Sequence, residues 1–458
     1  MSDSFIVEWA RAQQPKAPNM KNASVFYRNL EEELDVRRSQ HGCIMLHTKE
    51  QTSMVDFSST DILGLSTSGS VRKGYLDELA KHPDFKLSSH GSRLTDGNSR
   101  YLEGIERELA AFHGAESGLI VNTGSLGNAA IFSVIPRPGD AIVYDELIHA
   151  SMHDGMKDSL ALYRKTFRHN NAKSLYNVLV AVQESQPQIR NSIQSVLVAV
   201  ESVYSMDRDI CPLQKLIKTA KEVFLEGNIQ FIINKTHSTG IIRPNGTGLV
   251  YALGLESKTL AATGAVILYN NTVRMMLINY ARSIIFSVAP FFPMLASIRA
   301  TYQLLRSGEA QEAQNRVQEI VKFFLETIIS DPIWSKASNT GLLRLPMYED
   351  ADIQSVLIQI IQLRTRTKHN FYLAFHLQRA GFLVFPISYP VVPKGTEHVR
   401  IIFHASNMDT EVKVLVTAIA EWAQEILEIK SSGDRQRVPA AARHVYALIA
   451  QANLNGSE

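Results

Sequence analysis

The chain has 458 residues, 45% of them hydrophobic and 20% charged, which is enough for a large core and for two or three domains. Its 47 basic and 45 acidic residues give a formal net charge of +2. This balance excludes a charge-based argument for a nucleic-acid or anionic-membrane partner.

Residues 1–55 are predicted to form an N-terminal helical lead-in, because VFYRNLEEELDVRRSQ (25–40) carries mixed charges at helical spacing. The N-terminus contains no apolar run of signal-peptide length, and runs such as VLVAV (196–200) are too short to cross a bilayer. Cys43 and Cys211 lack metal-site spacing and predict reduced thiols, with one disulfide as the alternative. We therefore expect a cytoplasmic protein without a membrane span or a metal site.

Residues 56–290 alternate between strand-like and helix-like patterns. The helix-like segment RYLEGIERELAAFHG (100–114) ends at a glycine. The strand-like segments are short apolar runs that end in polar residues, namely LIVNTG (119–124), AIVYDE (141–146), SVLVAVES (195–202) and IQFIIN (229–234). Such runs are typical of strands buried on both faces. The alternation predicts a large α/β domain with a mostly parallel sheet covered by helices.

Residues 291–430 have a different pattern and predict a smaller α+β C-terminal domain. The domain begins with one long amphipathic helical stretch, PMLASIRATYQLLRSGEAQEAQNRVQEIVKFFLETI. A strand-like VRIIFHA (399–405) and a helix-like EVKVLVTAIAEWAQEIL (411–427) follow. Residues 431–458 are expected to be a C-terminal tail with a charged linker and a short helix.

Polar residues follow the predicted strands at their carboxyl ends, where open α/β sheets bind ligands. These residues are Gly124, Ser125, His149, Ser205, Asn234 and His237. Small residues at 123–128 expose N–H groups ahead of a helix, which suits a phosphate but also an ordinary strand-to-helix turn. One histidine at a strand end is more often structural. Two histidines on one edge, beside a glycine turn, predict a functional site.

Several motifs resemble those of the α-oxoamine synthases. They are SSTDILGLS (58–66), SSHGSRLTDGNSRYLEGIERELAAFHGAE (88–116), DELIHASMHDG (145–155), ESVYSMDRDICPL (201–213), THSTGIIRPNGTGL (236–249), INYARSIIFS (278–287) and VPKGTEHVRIIFHASN (392–407). They occur in family order over roughly residues 25–430. Within the class-II aminotransferase family, the chain resembles fungal 8-amino-7-oxononanoate-synthase-like members.

The resemblance implies a fold-type I transferase with a sheet of the seven-stranded type and pyridoxal 5'-phosphate as cofactor. The implied reaction is a decarboxylative condensation of an amino acid with an acyl thioester, in biotin-like or polyketide-derived secondary metabolism. Sites of this fold lie at a dimer interface. The implied partners are therefore the two substrates and a second subunit, either an identical copy or a paralogue.

The resemblance also implies roles for individual residues. Gly124 and Ser125 match the phosphate-side turn, although the family usually has an aromatic residue at 125. His149 matches a catalytic histidine that stacks on the cofactor ring. Ser205 and His237 match residues near the phenolic oxygen of the cofactor.

Three further positions complete the implied site. Asn234 occupies the position of the residue beside the ring nitrogen, and Lys258 matches the catalytic lysine that carries the cofactor. Arg400 matches an arginine that holds the substrate carboxylate, a task that suits the forked guanidinium. The alternative for Arg400 is a surface ion pair.

Three consecutive residues depart from the family pattern. Asn234 replaces an aspartate, Lys235 an acidic or small residue, and Thr236 an alanine. An amide can accept a hydrogen bond from a protonated ring nitrogen, but it carries no charge to keep that proton in place. Each lost pKa unit weakens the electron sink by about 1.4 kcal/mol. A neighbouring lysine acts in the same direction.

The interval from His237 to Lys258 is 21 positions (258 − 237), against about thirty in the family. The missing residues would include the strand that leads to the lysine. Either GLVYALGLE (248–256) becomes that strand and a covering helix is lost, or the sheet loses a strand and Lys258 is misplaced. A misplaced exon boundary at 256/257 would also explain the interval.

Three interpretations therefore stay open. The chain is a working synthase or an aminotransferase-like relative. Alternatively it is a non-catalytic subunit that supports a catalytic partner, as in serine palmitoyltransferase. The third interpretation is an inactive homologue.

Overall fold

The computed structural model describes residues 2–39, 42–43, 54–204, 209–241, 253–256, 264–346, 357–366, 369–388, 392, 394–434 and 437–455. Among these residues, the N-terminal part contains α1 (Ser2–Ala12), a short 3-10 helix (Ala17–Asn19), α2 (Val25–Ser39), β1 (Val55–Asp56) and α3 (Ser70–Ala80). The predicted charged helix corresponds to α2, and the sequence reading missed α1.

The central part alternates helices and strands as predicted. Its elements are α4 (Arg100–Phe112), β2 (Ser117–Val121), α5 (Gly124–Val134), β3 (Ala141–Asp145), α6 (Ala150–Lys157), β4 (Tyr163–Phe167), α7 (Ala172–Ser185), α8 (Pro187–Arg190), β5 (Val196–Glu201), α9 (Leu213–Val223), β6 (Ile229–Asn234), β7 (Leu253–Glu256), β8 (Ala265–Tyr269), α10 (Asn271–Tyr280) and α11 (Arg282–Ile285). All six residues of β5 are buried, as expected for a strand covered on both faces.

The C-terminal part combines long helices with short strands. Its elements are α12 (Phe292–Ser307), α13 (Gln311–Ser330), α14 (Pro332–Asn339), β9 (Leu343–Arg344), β10 (Ile360–Thr365), α15 (His369–Arg379), β11 (Phe382–Leu383), β12 (Phe385–Ile387), β13 (His398–Ile402), α16 (Asp409–Ser432) and α17 (Ala440–Asn455). Strands β12, β13, β10 and β9 form a four-stranded antiparallel sheet, and β1 pairs with β11.

Seven strands form the central sheet in the order β2-β8-β7-β6-β5-β3-β4. Strand β8 is antiparallel to both of its neighbours, and the other neighbouring pairs are parallel. The carboxyl ends of β3, β5, β6 and β7 therefore lie along one edge of the sheet. Helices α5 and α6 pack closely because Gly155 has no side chain. A Cβ atom at this position would lie 2.9 Å from the Ala129 Cα.

Strand β7 is present in the central sheet despite the short interval before Lys258. It lies between β6 and β8, with Leu255 paired to Asn234 on one side and to Ile267 on the other. The end of GLVYALGLE thus supplies the seventh strand. The alternative, a sheet without that strand, is wrong.

The long helical stretch predicted after residue 291 is two helices rather than one. Helix α12 ends at Ser307, because Gly308 adopts φ +82°, a left-handed conformation that glycine tolerates without steric cost. Helix α13 begins three residues later. The break lets both helices pack their apolar faces on different parts of the core.

Two large apolar clusters and one connecting cluster stabilise the fold. One covers the central sheet with α5, α6, α7 and α9, and another joins the four-stranded sheet to α13 and α16. The connecting cluster contains Ile241, which follows β6, together with Met294 and Ile402. Within the described ranges, no helix is both long and apolar enough to cross a bilayer.

Candidate active site

Several of the predicted site residues, among them His149 and Asn234, lie at the carboxyl edge of the central sheet. His149 lies four residues after β3, and Asn234 is the last residue of β6. Asn234 pairs in register with Glu201 on β5 and with Leu255 on β7, so three adjacent strands end within one residue of the same level. Lys258 and Ser205 fall outside the described residues, although Lys258 follows the last residue of β7 by two positions.

His149 is held in one orientation by its neighbours. Its backbone N–H donates to the Glu201 Oε1 at 2.6 Å. The ring Nδ1 accepts from the Ser151 N–H at 3.1 Å and lies 2.7 Å from the Ser151 Oγ. Asn128 Nδ2 donates to that Oγ at 2.9 Å, so the serine proton points to the ring. Nδ1 is therefore the acceptor and Nε2 carries the proton.

Ser151 and Asn128 were not among the predicted site residues. The signal for Ser151 was present in the motif HASMHDG, where this serine follows the histidine by two positions and can bond back to it. Asn128 lies on α5, a different segment of the chain, and its contact depends on the packing of α5 on α6. Sequence alone carries no signal for that contact.

The phosphate-side turn forms the start of helix α5. Thr123 caps the helix, since its Oγ1 accepts from the Leu126 N–H at 3.2 Å. Gly124 and Ser125 are the first helical residues, and the N–H groups of a first turn have no acceptor within the helix. An 11-residue helix that begins at the carboxyl edge of the sheet can bind a phosphate there.

The residues after β6 are buried and closely bonded. Asn234, Lys235 and Thr236 are 4%, 4% and 7% exposed. The Asn234 Oδ1 accepts from the Thr236 N–H at 3.0 Å and from the Thr236 Oγ1 at 2.5 Å. The Asn234 backbone carbonyl accepts from the Ser202 N–H at 2.8 Å. His237 follows this segment and is half-buried.

Arg400 lies in the middle of β13, paired with Gln362 on β10 and with Phe385 on β12. Its side chain shares a strand face with Ile402, which belongs to the cluster containing Ile241. Burial lowers the pKa of Arg400. Among the described residues no carboxylate forms an ion pair with it, so the surface ion pair expected as the alternative is wrong there.

His169 forms a cluster beside the site that the sequence reading missed. Its Nδ1 lies 2.8 Å from the Asp145 Oδ1, and its Nε2 lies 2.8 Å from the Asp209 Oδ2. Burial lowers the pKa of His169, but hydrogen bonds to the two aspartates outweigh it and raise the pKa to about 10. The Asn170 Nδ2 also donates a hydrogen bond to the Asp209 Oδ2 at 2.6 Å. The cluster ties the end of β3 to the chain after residue 208.

The sheet order, the strand-end histidines and the helix at the glycine turn define a transferase-like α/β protein of fold type I. The chain belongs to the family "Aminotransferase class I and II", whose model matches residues 52–419. The predicted family and fold class are thereby confirmed.

Two curated relatives narrow the relationship within the family. The chain is 46% identical to the aminoacyl transferase sphA of Aspergillus fumigatus over 462 residues, covering 98% of each chain. It is 39% identical to the 8-amino-7-oxononanoate synthase of Emericella nidulans over 406 residues, covering 86% of this chain and 95% of the relative. The predicted relation to 8-amino-7-oxononanoate synthases is thus confirmed.

Solved structures share the fold. A serine palmitoyltransferase with a pyridoxal phosphate internal aldimine has a TM-score of 0.67 at 20% identity, covering 81% of this chain and 87% of that chain. The 8-amino-7-oxononanoate synthase from Francisella tularensis has a TM-score of 0.59 at 22% identity, covering 81% of this chain and 98% of that chain. At these identities the likeness concerns the fold alone.

Most of the described site residues fit pyridoxal phosphate, the cofactor of this family. The start of α5 suits the phosphate, and His149 offers an oriented ring. Asn234 does not fit the usual contact to the ring nitrogen. It has no charge, and both lone pairs of its Oδ1 already accept hydrogen bonds from Thr236.

Proposed function

We propose that the chain is a pyridoxal-phosphate-dependent acyltransferase of the α-oxoamine synthase type. It joins an amino acid to an acyl thioester with loss of carbon dioxide, in cytoplasmic biotin-like or polyketide-derived metabolism. The observation that carries this proposal is strand β7, which ends at Glu256 between β6 and β8, two residues before Lys258. The shortened chain thereby keeps the strand that precedes the lysine.

The cofactor, when bound, supplies an electron sink for the bonds to the amino acid's α-carbon. Lys258 would hold it covalently and move protons at the α-carbon. The first turn of α5, at Gly124 and Ser125, would bind the phosphate. His149 would lie against the ring, with its Nε2 proton available because Nδ1 is engaged by Ser151. Ser205 and His237 would bind the phenolic oxygen.

Arg400 would bind the carboxylate of the amino acid. A half-buried guanidinium without an acidic partner among the described residues can gain a two-pronged ion pair from a ligand. Its position on the strand face that reaches the Ile241 cluster supports this role. The identity of the acyl chain depends on the shape of a channel rather than on these residues.

A second candidate is a catalytically impaired subunit that supports an active partner. Asn234 favours it, since an uncharged residue with a saturated acceptor cannot keep a ring nitrogen protonated. The two candidates differ in turnover by the purified chain alone. An aminotransferase would instead transfer the amino group without releasing carbon dioxide.

A dimer is part of the proposal. Large apolar side chains are exposed on two segments that are bonded to each other through Ala289 and Gly91: Leu87, Leu94, Phe286, Val288 and Phe291. A second copy of the chain or a paralogue would cover this patch. Replacing Phe286, which is 71% exposed, by glutamate is expected to shift the sedimentation of the purified protein to that of a monomer.

The test of the proposal is cofactor binding followed by product analysis. Purified chain is incubated with pyridoxal phosphate, reduced with borohydride and digested, and the labelled peptide is identified by mass spectrometry. We expect the label on Lys258, and none in the Lys258→Ala variant. A protein that remains colourless and unlabelled contradicts the proposal, and a label on Lys235 contradicts the assigned lysine. Release of labelled carbon dioxide with an acyl thioester separates the synthase from the impaired subunit.

A further inference from the structure

The side chain of Asn234 has only one kind of hydrogen bond left to offer. A backbone N–H can only donate, so the atom of Asn234 that faces the Thr236 N–H at 3.0 Å must be oxygen. The Thr236 hydroxyl occupies the second lone pair of that oxygen at 2.5 Å. The free part of the amide is therefore its NH₂ group, which is a donor and not an acceptor.

Two of the departures from the family pattern act together here. With alanine at 236, the Asn234 Oδ1 would keep one lone pair for a donor on a ligand. Thr236 fills that lone pair and is itself only 7% exposed, so water does not readily compete for it. The pair Asn234–Thr236 thus fixes the direction of any hydrogen bond to a ligand at this strand end.

The neighbours of Asn234 in the chain and in the sheet include one buried lysine and one carboxylate. Lys235 follows Asn234 and is 4% exposed, so its side chain lies inside the protein. The carboxylate of Glu201, the partner of Asn234 in register on β5, is engaged at Oε1 by the His149 N–H at 2.6 Å. A cationic ring nitrogen beside Asn234 would meet the donor group of an uncharged amide, at a position where the family has an aspartate.

We propose that this site binds the cofactor ring with its pyridine nitrogen unprotonated, as the acceptor of a hydrogen bond from the Asn234 Nδ2. This inference rests on the proposed function, because it requires the cofactor to bind at the end of β6. It reverses the bond direction expected from the sequence, in which the amide accepts from a protonated ring. A neutral ring withdraws fewer electrons, so the site activates the amino acid more slowly than a site with an aspartate.

The decisive measurement is the protonation state of the ring in the bound protein. Full-length chain is loaded with pyridoxal phosphate labelled with nitrogen-15 in the ring, and the nitrogen resonance is recorded at neutral pH. We expect the chemical shift of a neutral pyridine in the unmodified protein and in Thr236→Ser. The Asn234→Asp variant is expected to show the shift of a pyridinium. Because the unmodified protein already decides the question, the test does not depend on the folding of a variant.

Variants and a control sharpen the result. Thr236→Ala frees one lone pair and should move the resonance toward the pyridinium, and the double variant with Asn234→Asp should match Asn234→Asp alone. Asn279→Asp, the same chemical change on the exposed end of α10, should leave the spectrum unchanged. Exchange of the α-hydrogen of the amino acid with solvent should be at least about 10-fold faster in Asn234→Asp, which corresponds to one pKa unit or more.

The outcomes separate this inference from the proposed function. A pyridinium shift in the unmodified protein overturns the inference and leaves the proposed function intact. Absence of bound cofactor in both the unmodified protein and Asn234→Asp overturns the two together. A neutral ring in Asn234→Asp as well as in the unmodified protein also overturns the inference, because residue 234 would then not set the ring's protonation.

Discussion

The Asp209 Oδ2 lies 2.8 Å from the Nε2 of His169, and this contact joins two segments that are 40 positions apart in the chain. Asp145, at the end of β3, completes the cluster on the Nδ1 side at 2.8 Å. One imidazole ring thus bonds two carboxylates, which explains why its pKa is raised to about 10. Ser205, the residue assigned to the phenolic oxygen, precedes Asp209 by four positions in the chain.

Replacing His169 by glutamine should destabilise the protein by about 2–3 kcal/mol near pH 6, because two hydrogen bonds to charged groups are weakened. The folded pKa of His169 is raised above the unfolded value, so its stabilising effect is complete below about pH 6.5 and is lost as the pH rises through about 10. Urea unfolding at about pH 6 and about pH 10.5 measures the difference. The difference in free energy of unfolding between the unmodified protein and His169→Gln should be smaller at the higher pH.

The control for His169 is the exposed pair Asp154–Lys157, whose atoms are 2.7 Å apart on the surface of α6. Asp154→Asn should change the unfolding midpoint little, because solvent screens exposed ion pairs. A gap between unmodified protein and His169→Gln that stays constant across the pH range would contradict the ionic interpretation of the cluster.

Ser151→Ala should weaken cofactor binding by about 10-fold, because it removes the hydroxyl that orients His149 and costs about 1 kcal/mol or more. Fluorescence titration of the purified chain with pyridoxal phosphate gives the dissociation constant. Ser133→Ala is the matched control, since the Ser133 hydroxyl bonds only within its own helix, to the Ala129 carbonyl at 2.6 Å. Equal dissociation constants in the two variants would contradict a role of Ser151 in cofactor binding.

Arg400→Lys should raise the KM for the amino acid by about 10- to 100-fold and leave cofactor binding unchanged, because an ammonium group lacks the forked geometry. Steady-state kinetics with the acyl thioester held in excess measures KM and kcat separately. Arg364→Lys on the neighbouring strand β10 is the control, as the Arg364 Nε already donates to the Gln362 Oε1 at 2.9 Å. A rise in KM of the same size in both variants would indicate a general effect on the sheet.

Gly97→Ala should destabilise the protein by about 3 kcal/mol or more. A Cβ atom there would lie 2.0 Å from the Gly91 carbonyl oxygen and 2.8 Å from the Ala289 Cβ. Gly104→Ala on α4 is the opposite case, since nothing lies within 4 Å of the added atom, and it should stabilise the helix by up to about 1 kcal/mol. Thermal unfolding followed by circular dichroism compares both variants with the unmodified chain.

Val445→Asp should destabilise the C-terminal part by several kcal/mol, because it places a charge among fully buried side chains. Val445 is 0% exposed and packs with Phe375 and Ala441. Val414→Asp is the control, since Val414 is 55% exposed on α16. If the two variants unfold at the same temperature, α17 makes no contribution to the core.

The sequence predicted those parts of the fold that depend on local pattern. Runs such as FIIN showed β6 directly, because buried parallel strands need continuous apolar residues. The pattern could not show that Gly308 divides the helical stretch after residue 291, since a glycine also occurs inside helices. Nor could it show the length of α17, whose stability comes from packing on α15 rather than from its own sequence.

The residues of the candidate site could likewise be predicted only where a local motif indicates them. His149, Asn234 and Arg400 could be found because each belongs to a recognisable motif. The Asn128–Ser151 contact and the His169 cluster could not be found, since their bonds join different segments of the chain. The saturated Oδ1 of Asn234 also required coordinates, because its partner Thr236 gives no sign in sequence of where its hydroxyl points.

The short connection between β6 and β7 has a wider consequence for how this fold tolerates deletions. From Asn234 to Leu253 the chain has 18 intervening residues (252 − 235 + 1) to return from one edge of the sheet to the other. A parallel crossover needs a dozen or more residues, so this connection is still above the minimum. An interval about ten residues shorter than the family's is therefore still long enough to keep these two strands parallel and adjacent.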